Sequence, residues 1–109
     1  MVTRITRGRL MPNSEARVFE MLRAAAAAQP IVPGLVSMSL SRTIQGRDTV
    51  LVAITVWSDV DAMARVLGPT WQAPSWMPGL DELVAEATVE ILETVAASAQ
   101  DLTELALTG

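Results

Sequence analysis

The 109 residues contain no cysteine, no histidine, no lysine and no tyrosine. Without cysteine there is no disulfide framework, no thiolate nucleophile and no iron–sulfur ligation. Without histidine the commonest general base, haem ligand and zinc ligand is missing. Lacking lysine, the chain cannot form a Schiff base, and lacking tyrosine it has no phenol to donate or ionise. Chemistry is left to Arg, Asp, Glu, Asn, Ser, Thr, Trp, the backbone or the substrate itself, and neither a metal nor a cofactor is expected. A membrane span is also absent. The longest uncharged run, Ala24 to Ser41, is broken by Pro30, Pro33 and Gly34 and falls short of the bulk apolar surface a span needs. The first residues lack the apolar block of a signal peptide, so a soluble, cytoplasmic protein is expected.

What is present is apolar. Half the residues are hydrophobic, six of them methionine. That is rich for a single domain of this size, where much of the surface stays wet. The excess implies cover from a second copy or from a ligand. Charge is divided along the chain: all eight arginines lie at or before Arg65, and the acids Asp81, Glu82, Glu86, Glu90, Glu93, Asp101 and Glu104 follow it. With a net charge of −4 and no dense basic run, a nucleic-acid partner is not expected.

The stretch Val2–Leu10, "VTRITRGRL", reads as a strand. "PNSEARVFEMLRAAAAAQP" follows as an amphipathic helix, capped by Asn13 or Ser14, with Val18, Phe19, Leu22, Ala25 and Ala26 on one face and Pro30 ending it. "PGLVSMSLSRTI" alternates Val36, Met38 and Leu40 against Ser37, Ser39 and Ser41. "QGRD" is a turn into "TVLVAITVW", a strand apolar on both faces and therefore central. Ser58 is placed to cap a short helix that stops at Gly68, residues 69–80 form a loop, and "ATVEILETV" is an edge strand. The order β-α-β-β-α-β predicts an α+β, ferredoxin-like domain, an antiparallel sheet with both helices on one face. The domain is expected over residues 1–96, with 97–109 a tail able to form a short helix after Asp101. The sheet's other face asks for cover, and a homodimer supplies it.

Taken together, "GRLMPNSEARVFEMLR", "PGLVSMSLSR" and "VLVAITVWSDVDAMARVL", Gly8 to Leu67, resemble the antibiotic-biosynthesis-monooxygenase (ABM) type domain of the dimeric α/β-barrel superfamily. The strand ending in "VW", then a polar cap and a short acidic helix, carries most of the likeness. The resemblance implies two sheets packed into a barrel across a dimer, with an apolar cavity between sheet and helices in each subunit. Some members oxidise polycyclic aromatic substrates with oxygen and no cofactor, others degrade haem, and many have no known activity. The haem-degrading branch uses an asparagine on the first strand, a tryptophan in the second helix and a histidine ligand. Here that first strand carries Arg7, Gly8 and Arg9, Asn13 lies past it, the second helix has no tryptophan, and there is no histidine.

Candidate ligand contacts follow. Trp57, Trp71 and Trp76 are the only tryptophans and lie within twenty consecutive positions. Trp57 is either core under the second helix or a pocket wall that stacks on a flat substrate. Trp71 and Trp76 sit in a proline-rich loop, as a lid over the cavity or as packing against a partner. Met63, with Met38 and Met77, offers soft cavity walls. Arg7 and Arg9 are charges on a strand expected to be central. Either the sheet twists them out at its end, or they pair with Glu90 or Glu93, or one anchors an anionic oxygen of a ligand; Arg42 offers a weaker form of the same chemistry. The expected function is an ABM-like homodimer with an apolar pocket for a small aromatic or polyketide-like molecule. It acts as a cofactor-independent monooxygenase, or alternatively as a non-catalytic binding module or a purely structural dimer.

Overall fold

The computed structural model describes residues 1–28 and 31–98. Its elements are β1 (Val2–Leu10), α1 (Glu15–Ala27), β2 (Leu35–Gln45), β3 (Asp48–Trp57), α2 (Val60–Leu67), a single 3-10 turn at Asp81–Leu83, and β4 (Val84–Glu93). The strands form one antiparallel sheet in the order β2-β3-β1-β4. That is the ferredoxin-like α+β arrangement expected from the element order. The predicted end of α1 at Pro30 and the predicted tail helix after Asp101 lie outside the described residues.

Local chemistry explains the turns. β2 and β3 meet through Gly46 and Arg47, and Gly46 takes a positive φ of 63°, as a two-residue hairpin requires. Ser14 occupies the N-cap of α1, but its hydroxyl donates back to the Met11 carbonyl at 2.6 Å and accepts from no helix amide. The cap of α2 is a correction to the sequence reading. It is Asp59, not Ser58: its carboxylate accepts from the Ala62 amide at 2.7 Å. Ser58 instead uses its backbone amide, which donates to the Gly34 carbonyl at 2.9 Å and ties α2 to the start of β2.

Register sets which side chains face the helices. Val2, Arg4, Thr6, Gly8 and Leu10 of β1 point to that side and are buried, as strand alternation demands. Their partners on β3 are Trp57, Thr55, Ala53 and Leu51. On β2 the matching residues are Leu35, Met38, Leu40 and Arg42, because an irregularity between Leu35 and Ser37 lets Val36 slip out of the alternation. Val36 is consequently exposed rather than on the apolar face expected for it. The last strand also begins earlier than expected, at Val84 rather than Ala87, and ends at Glu93.

The core divides into two clusters. One gathers Leu10, Val18, Leu22, Leu51 and Leu80 under α1; the other gathers Val2, Trp57 and Met63 under α2. Between them the sheet rows are Leu40–Ala53–Thr6 and Met38–Thr55–Arg4, so a polar seam separates two apolar blocks. The opposite face carries Ile5, Val52, Ile54 and Val56 at its centre, with the Ser37, Ser39, Ser41 ladder on one flank. No described residue of the chain packs over it as a layer.

Candidate functional site

A cleft of about 400 Å³ opens between α1 and the β2–β3 hairpin. Phe19, Leu22 and Ala26 of α1 form one wall, and Leu40 with Leu51 forms the floor. The amphipathic stripe of α1 is too narrow to cover the sheet completely, so Leu40 is only half-buried while Leu51 is 1% exposed. The rim is cationic: Arg23 and Arg42 line it and both are exposed. Arg42 pairs with Glu15, and its guanidinium lies 5.4 Å from the centre of the Phe19 ring, within cation–π range. An apolar hollow of this size with few polar groups at its edge has the dimensions of a small-molecule site.

Leu51 and Trp57 are buried on the helix-facing side of β3, whereas Ala53 and Thr55 between them are not. Ala53 and Thr55 belong to the two rows of the polar seam. There Arg4, 6% exposed, directs its guanidinium to neutral acceptors: Nη1 donates to Thr6 Oγ1 at 2.9 Å, Nε to the Trp71 carbonyl at 3.2 Å, and Nη2 to the Ala73 carbonyl at 2.7 Å and to Ser75 Oγ at 3.4 Å. Burial pushes its pKa below the ordinary value for arginine, since a low-dielectric site disfavours the charged form. No carboxylate among the described residues pairs with it. Thr55 Oγ1 accepts from the Trp57 indole N–H at 2.9 Å and donates to the Arg4 carbonyl at 3.5 Å.

The structure distributes the six residues singled out from the sequence. Trp57, Trp71 and Met63 share the α2 cluster, with Trp57 at 3% and Met63 at 0% exposure. Trp76 belongs to the other cluster, lying across Gly8, and its indole N–H is buried with no acceptor among the described residues. All three indoles pack on the helix side of the sheet. Arg7 and Arg9 lie on the opposite face, where Arg7 pairs with Glu90 at 3.4 Å and Arg9 with Glu86 at 3.0 Å. Glu86, rather than Glu93, meets Arg9 because the antiparallel register that sets Arg7 opposite Thr88 runs on toward Glu86 and leaves Glu93 opposite Val2; beyond Arg7 the register shifts to bring Ala85 opposite Arg9, and Glu86 takes a φ of 50° at that irregularity. None of the six lines the cleft.

Two things escaped the sequence reading. Phe19, Leu22, Leu40 and Leu51 were legible as core residues but not as walls of a gap. Arg4 was overlooked beside Arg7 and Arg9, although strand alternation alone puts it on the other face. A metal-ligating cluster of acids is absent among the described residues. Haem does not suit the walls found here, because the cleft offers no histidine, cysteine, tyrosine or methionine to bind iron.

Comparison with known proteins gives structural likeness only. No family model and no curated protein matches the sequence. Among solved structures, a candidate antibiotic biosynthesis monooxygenase from Deinococcus radiodurans is similar at a TM-score of 0.68 and 17% identity, over 93% of this chain and 99% of that one. SnoaB from Streptomyces nogalater, a cofactor-independent oxygenase, is similar at 0.58 and 21%, over 91% and 97%. The haem degrader MhuD from Mycobacterium tuberculosis, solved with two haems in its active site, is similar at 0.63 and 20%, over 91% and 100%. This chain has the fold of the antibiotic biosynthesis monooxygenases along nearly its whole length.

Proposed function

We propose that this chain is a homodimeric protein of the ABM type that holds a flat aromatic or polyketide-like molecule in the cleft between α1 and the sheet and oxidises it with oxygen. The observation that carries the reading is the cleft itself, an apolar slot of about 400 Å³ walled by α1 and floored by the sheet. Its polar groups are few, so the chemistry is substrate-assisted. An electron-rich phenolate or enolate supplies the electrons that reduce oxygen, while the protein contributes orientation, a dry surrounding and fixed charge. SnoaB, a cofactor-independent oxygenase of the same fold, supports this direction.

A specific observation favours a second reading, a non-catalytic binder of the same class of molecule. Among the described residues no carboxylate lines the cleft, and Glu15, the partner of the rim's Arg42, is engaged by it, leaving no base on the walls to form the anion. Two measurements separate these readings. Tryptophan emission is followed while polycyclic phenols and quinones are titrated, with correction for inner-filter absorption; saturable binding that Phe19→Ala and Leu40→Asn weaken supports the cleft. Oxygen uptake with a bound phenol, absent under nitrogen and slowed by the same two substitutions, identifies an enzyme. Binding without uptake identifies a binder, and no binding by any of these molecules removes both readings.

A further inference from the structure

Arg4 is a buried cation whose polar surroundings are all neutral. Its guanidinium has five N–H groups, and the four bonds described for it use Nε, one proton of Nη1 and both protons of Nη2. The remaining Nη1 proton has no acceptor among the described residues. Nη1 is also the nitrogen that leans on Thr6, and Thr6 shares a sheet row with Ala53 and Leu40. Leu40 lines the cleft. From Leu40 to Thr6 is two strand spacings, about 10 Å, and the residue between them is the small, half-buried Ala53. A second donor without an acceptor, the buried indole N–H of Trp76, belongs to a ring that crosses the same strand at Gly8, two positions from Thr6. Keeping an uncompensated charge in the interior is expensive, and a hydrogen-bonded anion against it offsets part of that cost. A planar guanidinium suits an oxyanion or carboxylate held in its plane.

We infer that Arg4 is the seat for a negatively charged oxygen of the bound molecule, so that the ligand is an aromatic anion whose ring system lies in the α1 cleft and whose phenolate, enolate or carboxylate oxygen reaches across Ala53 to Nη1. This rests on the cleft reading above and adds to it the charge and polarity of the ligand. It also assigns a cost to the arrangement. The loop carbonyls of Trp71 and Ala73 hold the guanidinium in place, and the same bonds hold the loop that carries both tryptophans over the sheet.

The test compares 2-naphthoate with its neutral counterpart 2-naphthamide by calorimetric titration at neutral pH. The wild-type chain is expected to bind the anion about tenfold more tightly, the discrimination of one charge-assisted hydrogen bond. Arg4→Met is expected to lose that preference while still binding the amide, and Arg4→Lys to keep part of it. Arg23→Ala with Arg42→Ala, which removes the rim charges, is expected to leave the preference intact. Because Arg4→Met also releases the loop, near-ultraviolet circular dichroism of its tryptophans checks folding. A second readout needs no variant: the Arg4 Nε resonance of the wild type is expected to shift on adding naphthoate and to stay in place with the amide. Equal binding of the two probes, or a preference that disappears with the rim arginines and survives Arg4→Met, overturns the inference and leaves the cleft reading standing. Absence of binding by both probes overturns the two together.

Discussion

Gly8 has a φ that any residue could adopt, yet its position admits no side chain. A Cβ there would run into Val84 Cγ1 and stand 3.0 Å from Cζ2 of Trp76. The strand, not a turn, demands this glycine, because it lets an indole approach the backbone closely and close the cluster around Leu10 and Leu80. Gly8→Ala is therefore expected to destabilise the chain by about 1–3 kcal/mol, the usual cost of overpacking a close-packed site, and chemical denaturation followed by tryptophan emission measures it. An unchanged midpoint would mean the indole can lift away at no cost. On the opposite face, the hydrogen bond from Arg9, followed by its charge, holds the Glu86 carboxyl below its ordinary value. A depressed carboxyl stabilises the folded chain above the ordinary carboxylate range, and that contribution is lost as pH falls through the folded value. An NMR titration is expected to give Glu86 a midpoint below that of a model peptide, restored by Arg9→Gln. Glu86 is exposed and Arg9 is only half-buried, so the effect reports local pairing rather than global stability.

The elements show where reading a sequence succeeds and where it stops. Strand alternation and helix spacing were enough for the four strands, two helices and the edge position of β4, since each pattern is set by its own residues. Cap identity was less accessible. Ser58 and Asp59 are adjacent and equally good caps by type, and only the path of the chain, with the Ser58 amide drawn to Gly34, decides that Asp59 caps α2. Asp59→Ala is thus expected to cost about 1 kcal/mol and Ser58→Ala a few tenths, a difference readable from paired thermal melts. Register is a tertiary outcome too. The slip at Val36 and the shift beside Arg9 each depend on a neighbouring strand. The site was hardest to see. Arg4, Arg7 and Arg9 look alike in sequence, but one residue of parity separates a buried guanidinium beneath a loop from two exposed ion pairs. The cleft is a gap between elements, and no residue type announces a gap.

At the scale of the whole molecule the two faces of the sheet are unequal. The helix side is filled by two apolar clusters, the three indoles and Arg4; the other side presents Ile5, Val52, Ile54 and Val56 in the middle, half-buried by one another and by no further layer of the described chain. An apolar strip on a central pair of strands, rimmed by the Arg7–Glu90 and Arg9–Glu86 pairs and by a serine ladder, has the make-up of an interface, with its dry middle and polar edge. The ion pairs at the rim suit orientation more than affinity. If the sheet packs on its own copy, light scattering at micromolar concentration gives twice the mass of the chain, and Ile54→Glu, which buries a carboxylate against its symmetry mate at the centre of the strip, gives the single mass. Ile44→Glu is the control: Ile44 is 69% exposed and lies at the hairpin end of β2, on the helix-facing side, so its charge leaves the assembly unchanged. A wild-type chain that runs at the single mass would remove the dimer. The cleft on the far side would then have to bind its ligand alone, which the naphthoate titration reads independently.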